Sequence, residues 1–569
     1  MFAFWITLPA FLLITIAIIF LKNQTRPIIS LARASEKFGR GEDIGEYRPS
    51  GALEIRQAGY EFEKMRKRII RHLNQRSEML SGISHDLRTP LTRIKLQLAF
   101  IKDKEISSFE LLEYYIARVE KFNPDINAII VKNYEEAYET AKKADELISK
   151  GKTLGPRHGV PMTLKESYSL NGTALTFGIP EFKDNISDSD ALSVERLKNA
   201  GAVIFGKTNV PIRLADFQSF NDIYGTTNNP WDLTKIPGGS SGGSAAALAA
   251  GLTGFETGSD IGGSIRNPAH YCGVFGHKPT WGLLPPRGHA LPGGVAQPDL
   301  SVIGPLGRSA EDIETGVMVM AGPDEIQSAG LKLDLEKPQK SNLKEYKVAV
   351  WTNDEIAPVS QEVQNRVIAV AKTISDAGGE ANFDARPDFD INKYKEVYGS
   401  LLHPTMASRT TDEDFQKLLD DAQKLDPNDN SEAAFTLRKQ VSYVRDYNIA
   451  NNERTHFRWA WHNFFKEYDA VIAPIMATDA IDHDHGKYDG RTIMVDNDER
   501  PYFEQIFWAG IAINSYLPST VIPTGLSDNG LPIGIQIIGP EYGDLKTIGL
   551  AKLLEQEGYK FQSPDSYPD

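Results

Sequence analysis

The chain contains 569 residues, a length that predicts more than one domain. Its formal net charge of −14, from 76 acidic and 62 basic residues, excludes general nucleic-acid affinity, which requires a basic surface. The only cysteine, Cys272, excludes an intramolecular disulfide bond and fits a reducing compartment. We expect Cys272 to be a small buried side chain rather than a nucleophile, because a free thiol packs like a hydrophobic group.

An uncharged apolar segment comes first. Residues 2–21 read FAFWITLPAFLLITIAIIFL, which is long enough to cross a hydrocarbon core as a helix. No basic region precedes it and no small-residue cleavage site follows, so we predict a retained anchor at 1–24 rather than a signal peptide. The segment after it is basic, and the positive-inside rule then places the remainder in the cytoplasm. The predicted location is a bacterial inner membrane, crossed once, with the downstream domain cytoplasmic.

Residues 25–105 carry a helical pattern and one specific motif. Apolar positions Ile55, Phe62, Met65 and Ile69 step by seven, three and four, which is typical of a coiled-coil seam. The sequence SHDLRTPLTRI follows at 84–94. The segment resembles the front of a membrane sensor histidine kinase, with a HAMP-like linker at 25–75 and a dimerisation-helix fragment at 76–105. The resemblance implies that His85 is a phosphoacceptor.

No ATP-binding domain with Asn-rich and Gly-rich boxes is recognisable downstream, so His85 has no kinase in the same chain. Three interpretations stay open: an anchor and helical spacer that could form a homodimer through these N-terminal helices, a phospho-relay site served in trans, or two unrelated genes joined near residues 104–107. The expected partners of this part are therefore the membrane, through residues 2–21, and a second copy of the chain.

The pattern changes at Ser107. A capping box from Ser107 to Glu110 predicts a new helix, which Asn123-Pro124 is expected to end. Further elements are then predicted in this order: a strand at 128–131, a helix at 134–148, an apolar run ending at Lys165, a helix at 191–200, a buried strand at 202–205, a helix at 361–377, a mostly helical stretch at 390–465 and a final α/β portion closed by a helix at 547–557. Strands that alternate with helices indicate an α/β layered domain, assigned to 106–569.

Two serines lie among glycines in the stretch 238–280. Ser240 stands in GGSSGGS, ahead of a small-residue helix predicted at 244–250, and Ser264 stands in DIGGSIRNP. Glycine removes the steric bar to positive φ and lets backbone N–H groups approach a ligand closely. Two such turns facing one point predict a site for an anion or an oxyanion.

Several motifs together resemble the amidase signature family: GVPMTLKE around Lys165, GGSSGGS at 238–244, GSDIGGSIRNPAHYCGVFGHKPTWG at 258–282, and the later LPSTVIPTG and GLPIGIQIIG. The resemblance covers about residues 106–565 and implies an α/β amidase signature fold. In that fold a central mixed β-sheet is flanked by helices, here preceded by the transmembrane helix and the coiled-coil-like helices.

The resemblance also implies a Ser-cisSer-Lys triad, with Ser264 as nucleophile, Ser240 as bridging serine after a cis peptide bond, and Lys165 as general base. Lysine acts as a base only when neutral, so burial must lower its pKa from about 10.4 toward 7 or 8. The neighbouring Ser241 is the rival for the role of Ser240. The implied oxyanion hole consists of the backbone N–H groups of Ile261, Gly262, Gly263 and Ser264.

Asp260 and Arg266 either brace this turn or form an ordinary structural ion pair. Glu166 and Ile212 depart from the family's usual aspartate and glutamate, at positions remote from the chemistry. Neither a cofactor nor a metal is expected, because Asp482-His-Asp-His485 is interpreted as a solvated loop.

The function implied is hydrolysis of a small-molecule carboxamide to a carboxylate plus ammonia or an amine, through an acyl-enzyme. One alternative is the glutaminase subunit of an amidotransferase, although KPTWGLLPPRGHALPGG at 278–294 departs from that pattern. The other is a signalling protein that works through His85 and carries an inert amidase domain.

Overall fold

A computed structural model describes residues 14–15, 25–35, 37, 47–82, 94–486 and 490–568. The chain divides into two compact units, 1–88 and 89–569. The predicted anchor, apart from residues 14–15, and the predicted phosphoacceptor His85 lie outside the described residues. Among the helices that are described, none combines the length and apolar character needed to span a bilayer.

The first unit contains a helical segment at 25–35 and the helix α1 (Leu53–Gly82). Phe62, one of the predicted seam residues, is buried against the edge of Tyr47, with ring centroids 5.7 Å apart. Met65, another seam residue, is 48% exposed. The predicted seam is therefore only partly covered within a single chain.

The second unit begins with α2 (Ile94–Lys102) and α3 (Ser108–Ile126). The predicted capping box is confirmed, because the Ser107 hydroxyl accepts from the Glu110 N–H while the Glu110 carboxylate accepts from the Ser107 N–H. The predicted stop at Asn123-Pro124 is wrong, since α3 includes Pro124 and ends at Ile126. A proline in the last turn removes only one hydrogen bond, and Asn127 in the left-handed conformation then terminates the helix.

A three-stranded sheet carries Lys165. It consists of β1 (Ile129–Lys132), β2 (Pro161–Lys165) and β3 (Val203–Thr208), in the order β1-β3-β2. In the chain, α4 (Tyr134–Ser149) lies between β1 and β2, and α5 (Leu192–Asn199) lies between β2 and β3. Strand β2 runs parallel to β3 and is buried along its whole length. Lys165 is therefore held at the end of a buried strand.

The central sheet has eight strands and is mixed. Two short strands, β4 (Phe220–Asn221) and β5 (Gly225–Thr226), pair separately and precede it. The strands of the central sheet are β6 (Glu256–Asp260), β7 (Phe275–Lys278), β8 (Val302–Gly307), β9 (Lys347–Val350), β10 (Glu380–Asn382), β11 (Ala470–Ala473), β14 (Ser519–Leu526) and β15 (Pro532–Ile538), in the order β10-β9-β11-β15-β14-β7-β8-β6. The hairpin β12 (Thr492–Val495) and β13 (Asp498–Pro501) stands apart. The predicted α/β fold with a mixed central sheet is confirmed.

Helices cover this sheet. They are α6 (Gly242–Ala249), α7 (Arg266–Cys272), α8 (Ala310–Met320), α9 (Gln361–Asp376), α14 (Ile506–Ile513) and α15 (Asp544–Gln556). Every residue of α6 is buried, which its small side chains permit. The predicted helical insertion comprises α10 (Ile391–Ala407), α11 (Asp412–Lys424), α12 (Glu432–Gln440) and α13 (Val444–Phe464). Its Tyr394 and Trp461 are core residues, whereas Tyr443 is 79% exposed.

Candidate active site

Lys165 is the centre of a cluster of serine hydroxyls. Its side chain is completely buried. The Nζ donates to the Oγ atoms of Ser240 at 2.7 Å, Ser241 at 2.9 Å and Ser259 at 3.0 Å. An ammonium group has three N–H donors, so these three hydroxyls match its full hydrogen-bonding capacity.

Burial lowers the pKa of Lys165 well below its ordinary value of 10.5. The carboxylate of Asp260 opposes this shift, while the guanidinium group of Arg409 adds to it. Desolvation disfavours the charged form of a lysine, which is the condition under which its amine can accept a proton near neutral pH.

The turn that carries Ser240 allows no side chain at the preceding residue. A Cβ atom on Gly239 would overlap the carbonyl oxygens of Gln218 and Asp216. The peptide bond between Gly239 and Ser240 is cis, as the resemblance implied. The Ser241 N–H donates to the carbonyl oxygen of Ser264 at 3.1 Å, so the two glycine-rich turns are joined directly.

The second turn is organised by a fully buried ion pair. The carboxylate of Asp260 accepts from Nε and Nη2 of Arg266 at 3.1 and 3.0 Å. It also accepts from the N–H groups of Gly263 at 2.8 Å and Ile265 at 3.1 Å. Burial favours the neutral acid, but Arg266 outweighs it and lowers the pKa of Asp260. The pair therefore fixes the backbone of the turn as well as its own side chains.

This network changes the predicted set of oxyanion donors. The Gly263 N–H, one of the four expected donors, is already bound to Asp260. Within residues 94–486 and 490–568, the N–H groups of Ile261, Gly262 and Ser264 have no protein acceptor. In the described part of the chain, these three N–H groups of the turn therefore have no hydrogen-bond partner, unlike those of Gly263 and Ile265.

The sequence indicated most of these residues but missed three others. Ser259, the third hydroxyl on Lys165, lies in β6 within the motif recognised at 258–282, but no role was predicted for it. Tyr398 of α10 donates its hydroxyl to the Ile261 carbonyl oxygen at 2.9 Å. Arg409, which lies in the connection after α10, influences Lys165 electrostatically. The last two come from far along the chain, so no local spacing could reveal them.

The remaining candidates lie away from the cluster. Cys272 is confirmed as a buried thiol, and burial raises its pKa. Asp482 is mostly exposed and pairs with Lys235 at 2.8 Å. Among the described residues, no group of three or more His, Cys, Asp or Glu side chains could hold a metal ion.

The fold and this site define a class, an α/β enzyme in which a buried lysine contacts serine hydroxyls at the end of a strand. A family model described as Amidase matches residues 110–548, so the chain belongs to the amidase family. A second model, described as His Kinase A (phospho-acceptor) domain, matches residues 75–128. The two matches overlap on α3, whose Leu111, Leu112 and Tyr115 are buried in the core of the second unit.

Three named relatives are similar to this chain over most of its length. Indoleacetamide hydrolase of Bradyrhizobium diazoefficiens is 32% identical, over 80% of this chain and 84% of that protein. Human fatty-acid amide hydrolase 2 is 31% identical, over 81% and 88%. A glutamyl-tRNA(Gln) amidotransferase subunit from Caldanaerobacter subterraneus is also 31% identical, over 81% and 95%.

Solved structures share the fold. A bacterial aryl acylamidase of the amidase signature family superimposes with a TM-score of 0.69 at 24% identity, over 82% of this chain and 96% of that one. A fatty acid amide hydrolase gives a TM-score of 0.70 at 21% identity, over 85% and 89%. Together with the family match, the sequence relatives identify the chain as an enzyme that hydrolyses amide C–N bonds.

Proposed function

We propose that this enzyme cleaves its amide through an acyl-enzyme on Ser264, with Lys165 as general base and Ser240 as the proton bridge. The observation that carries the proposal is the 2.7 Å contact from a buried Lys165 to the Ser240 hydroxyl. A serine hydroxyl is a weak nucleophile until a base accepts its proton, and a neutral lysine can do so.

In the first half-reaction the Ser264 Oγ bonds to the carbonyl carbon of the amide. Its proton passes to the Ser240 oxygen, whose own proton moves to the Lys165 amine. The carbonyl oxygen becomes an oxyanion, bound by the N–H groups of Ile261, Gly262 and Ser264. Preorganised donors of this kind are typically worth about 10²- to 10³-fold in rate each.

The C–N bond then breaks, and the leaving nitrogen takes the proton back from Lys165 through Ser240. This leaves the acyl group as an ester on Ser264. Water attacks the ester by the same proton route, which releases the carboxylate and restores the Ser264 hydroxyl. Ser241 and Ser259 bind the other two hydrogens of Lys165, so its lone pair faces Ser240 once the amine is neutral.

The test is Ser264→Ala in the full chain, measured by amide turnover and by covalent labelling with a fluorophosphonate probe. We expect both to be lost with unchanged folding. Ser328→Ala, at an exposed serine that bonds only to a nearby carbonyl group, is the matched control and should keep both. Turnover that survives in Ser264→Ala would contradict the assignment of the nucleophile.

We favour a stand-alone hydrolase whose substrates are small-molecule amides. Relatives named as an indoleacetamide hydrolase and a fatty-acid amide hydrolase support it. The alternative, a glutaminase subunit, has support from the amidotransferase relative, but the sequence at 278–294 departs from that pattern. Amide turnover by the purified chain, without any partner protein, distinguishes the two.

For the N-terminal part we propose a single-pass anchor at 2–21 in a bacterial inner membrane, followed by a HAMP-like linker and a dimerisation helix, with the amidase domain at 106–569 cytoplasmic. The uncharged run supports the anchor, and the His Kinase A match supports a homodimer. Deletion of residues 1–24 should move the enzyme from the membrane fraction to the supernatant without loss of turnover. If the enzyme stays in the membrane fraction after the deletion, the proposed anchor is wrong.

A signalling role for His85 is the second candidate, favoured by the phospho-acceptor match. It predicts transfer of labelled phosphate to the chain from a partner histidine kinase, and loss of that label in His85→Gln. Labelling that persists in His85→Gln, or none from any partner kinase, would contradict this role.

A further inference from the structure

The turn that carries Ser264 accepts a hydrogen bond from the helical insertion. Tyr398, in α10, donates its hydroxyl to the carbonyl oxygen of Ile261 at 2.9 Å. The residue is 4% exposed, and burial raises the pKa of Tyr398 above its ordinary value of 10.0. The hydroxyl therefore stays protonated and remains a hydrogen-bond donor to this carbonyl group.

Close packing fixes the position of the tyrosine. A Cβ atom on Gly510 of α14 would lie 2.7 Å from Cδ1 of the Tyr398 ring, so the ring packs directly on the backbone of that helix. A Cβ atom on Gly262 would lie 3.9 Å from the Tyr398 hydroxyl oxygen. The hydroxyl group is thus held next to the backbone of Gly262 as well as to the carbonyl group of Ile261.

The oxygen that accepts this bond belongs to the same peptide unit as the Gly262 N–H. The peptide bond from Ile261 to Gly262 is trans, and in a planar trans peptide the C=O and N–H groups point in opposite directions. A hydrogen bond that fixes the direction of the carbonyl group therefore also fixes the direction of the N–H group. Within the described residues, the Gly262 N–H has no protein acceptor.

The same arrangement recurs at Ser264. Its N–H shares a peptide unit with the Gly263 carbonyl oxygen, which accepts from the backbone N–H of Asn267 at 2.7 Å and from its Nδ2 at 2.9 Å. A hydrogen bond accepted at the oxygen polarises the amide and strengthens its N–H as a donor, by about 10–30%. The Ser264 unit is supported by a residue of the adjacent helix α7, whereas the Gly262 unit is supported by Tyr398, a side chain 137 residues away.

We propose that Tyr398 is a positioning residue for amide hydrolysis: its hydroxyl orients and polarises the peptide unit from Ile261 to Gly262, so that the Gly262 N–H binds the developing oxyanion. This inference rests on the proposed function, which assigns the oxyanion to that N–H. The stabilisation grows as negative charge develops on the oxygen, so Tyr398 contributes to the rate at which Ser264 is acylated.

The experiment compares Tyr398→Phe with Tyr394→Phe in the full chain. Tyr394 is the matched control, because it lies one turn earlier in α10, is equally buried and donates its hydroxyl to the carbonyl oxygen of Ile511 in α14 at 2.8 Å. Both variants should unfold at a lower urea concentration than the wild type, since each loses a buried hydrogen bond.

Only Tyr398→Phe should label more slowly with the fluorophosphonate probe, whose phosphoryl oxygen occupies the oxyanion site. We expect the second-order rate constant to fall about 10-fold, less than the 10²- to 10³-fold typical for loss of a whole donor, because the Gly262 N–H itself remains. Tyr394→Phe should label at the wild-type rate. The amplitude of labelling gives the folded fraction separately from the rate constant.

A second measurement uses the matching fluorophosphonothioate, in which sulphur replaces the phosphoryl oxygen. Sulphur is a weak hydrogen-bond acceptor, so this probe gains little from the N–H groups of the turn. The ratio of the two labelling rates, oxygen probe to sulphur probe, should therefore fall in Tyr398→Phe and stay at the wild-type value in Tyr394→Phe. A lower folded fraction does not alter this ratio, because both probes are measured on one preparation.

Two results would overturn the inference alone while Ser264→Ala is inactive: wild-type labelling by Tyr398→Phe, or an equal loss in both tyrosine variants with no change in the probe ratio. The first would mean that the hydroxyl does not affect the turn. The second would mean that it only stabilises the fold. Turnover and labelling that survive in Ser264→Ala would instead overturn the proposed function, and this inference with it.

Discussion

The ion pair between Asp260 and Arg266 allows a sharp test of whether it serves catalysis or only stability. Asp260→Asn keeps the size of the side chain but replaces one acceptor oxygen with an NH₂ group. The wild-type carboxylate receives four hydrogen bonds, two from Arg266 and one each from the N–H groups of Gly263 and Ile265. In the variant the NH₂ group faces N–H donors from which it cannot accept a hydrogen bond. Arg266 also remains buried without a counter-charge.

The expected cost has two parts. Breaking a fully buried ion pair by removing one charge destabilises a protein by about 3–5 kcal/mol. The side chains of Asp260 and Arg266 are both 0% exposed, so no water can replace the lost contacts. If the Gly263 segment then shifts, at least one donor at Ile261, Gly262 or Ser264 is misplaced. That loss corresponds to about 10²- to 10³-fold in rate.

The assay pairs urea unfolding with the rate of fluorophosphonate labelling of Ser264. Asp299→Asn is the matched control. The two carboxylate oxygens of Asp299 accept from Nη1 of Arg454, a residue of the helical insertion, at 2.9 and 2.8 Å. Both variants should lose stability, but only Asp260→Asn should also lose labelling rate. Labelling of Asp260→Asn at the wild-type rate would refute a bracing role and leave an ordinary structural pair.

The pH dependence of stability provides a second check on the same pair. Because the folded-state pKa of Asp260 lies below its ordinary value of 3.8, its stabilising contribution is present above that value and is lost as pH falls through the folded-state pKa. The difference in unfolding free energy between wild type and Asp260→Asn should therefore be constant near neutral pH and narrow in strong acid. A difference that widens in acid would contradict the assigned direction.

Three further experiments test other parts of the molecule. Ser259→Ala removes an acceptor that stabilises the charged Lys165, so the acid limb of kcat/KM should move to lower pH while the plateau falls. Gly239→Ala should destabilise the fold by about 3 kcal/mol and abolish turnover, since the added Cβ overlaps two carbonyl groups. Native Cys272 should resist iodoacetamide and react fully in urea, because burial raises its pKa.

One control and two contrary outcomes complete these tests. Gly330→Ala, where a Cβ meets no atom within 4 Å, should leave stability and turnover intact. An acid limb that moves up in Ser259→Ala would mean that Ser259 does not accept from the lysine. Rapid alkylation of the native thiol would contradict its buried position.

Much of the fold and most of the site could be predicted from the sequence, because the decisive patterns are local. The capping box at Ser107, the apolar run that ends at Lys165 and the small-residue helix after Ser241 each occupy a few consecutive residues, and the structure confirms each element. The glycine-rich motifs were specific enough to indicate the family. Capping residues and hydrophobic periodicity can be recognised directly in a sequence.

The details that could not be predicted depend on contacts between distant segments. Gly263 was expected to donate to the oxyanion, but Asp260 takes its N–H, and a motif cannot show which amide a carboxylate selects. Pro124 was expected to stop a helix that instead continues to Ile126, because packing in the last turn outweighs one missing hydrogen bond. Tyr398 reaches the Ile261 carbonyl oxygen only through the path of α10, which no spacing encodes.

The bond from Tyr398 to the Ile261 carbonyl oxygen has a consequence for how this enzyme could have diversified. The helix α10 of the helical insertion thereby supports the turn that carries Ser264. The insertion and this turn are therefore not separate modules that evolution or engineering could exchange independently. Grafting the insertion from a relative would replace the support that Tyr398 gives to the turn, so compensating changes around Ile261 must accompany such an exchange.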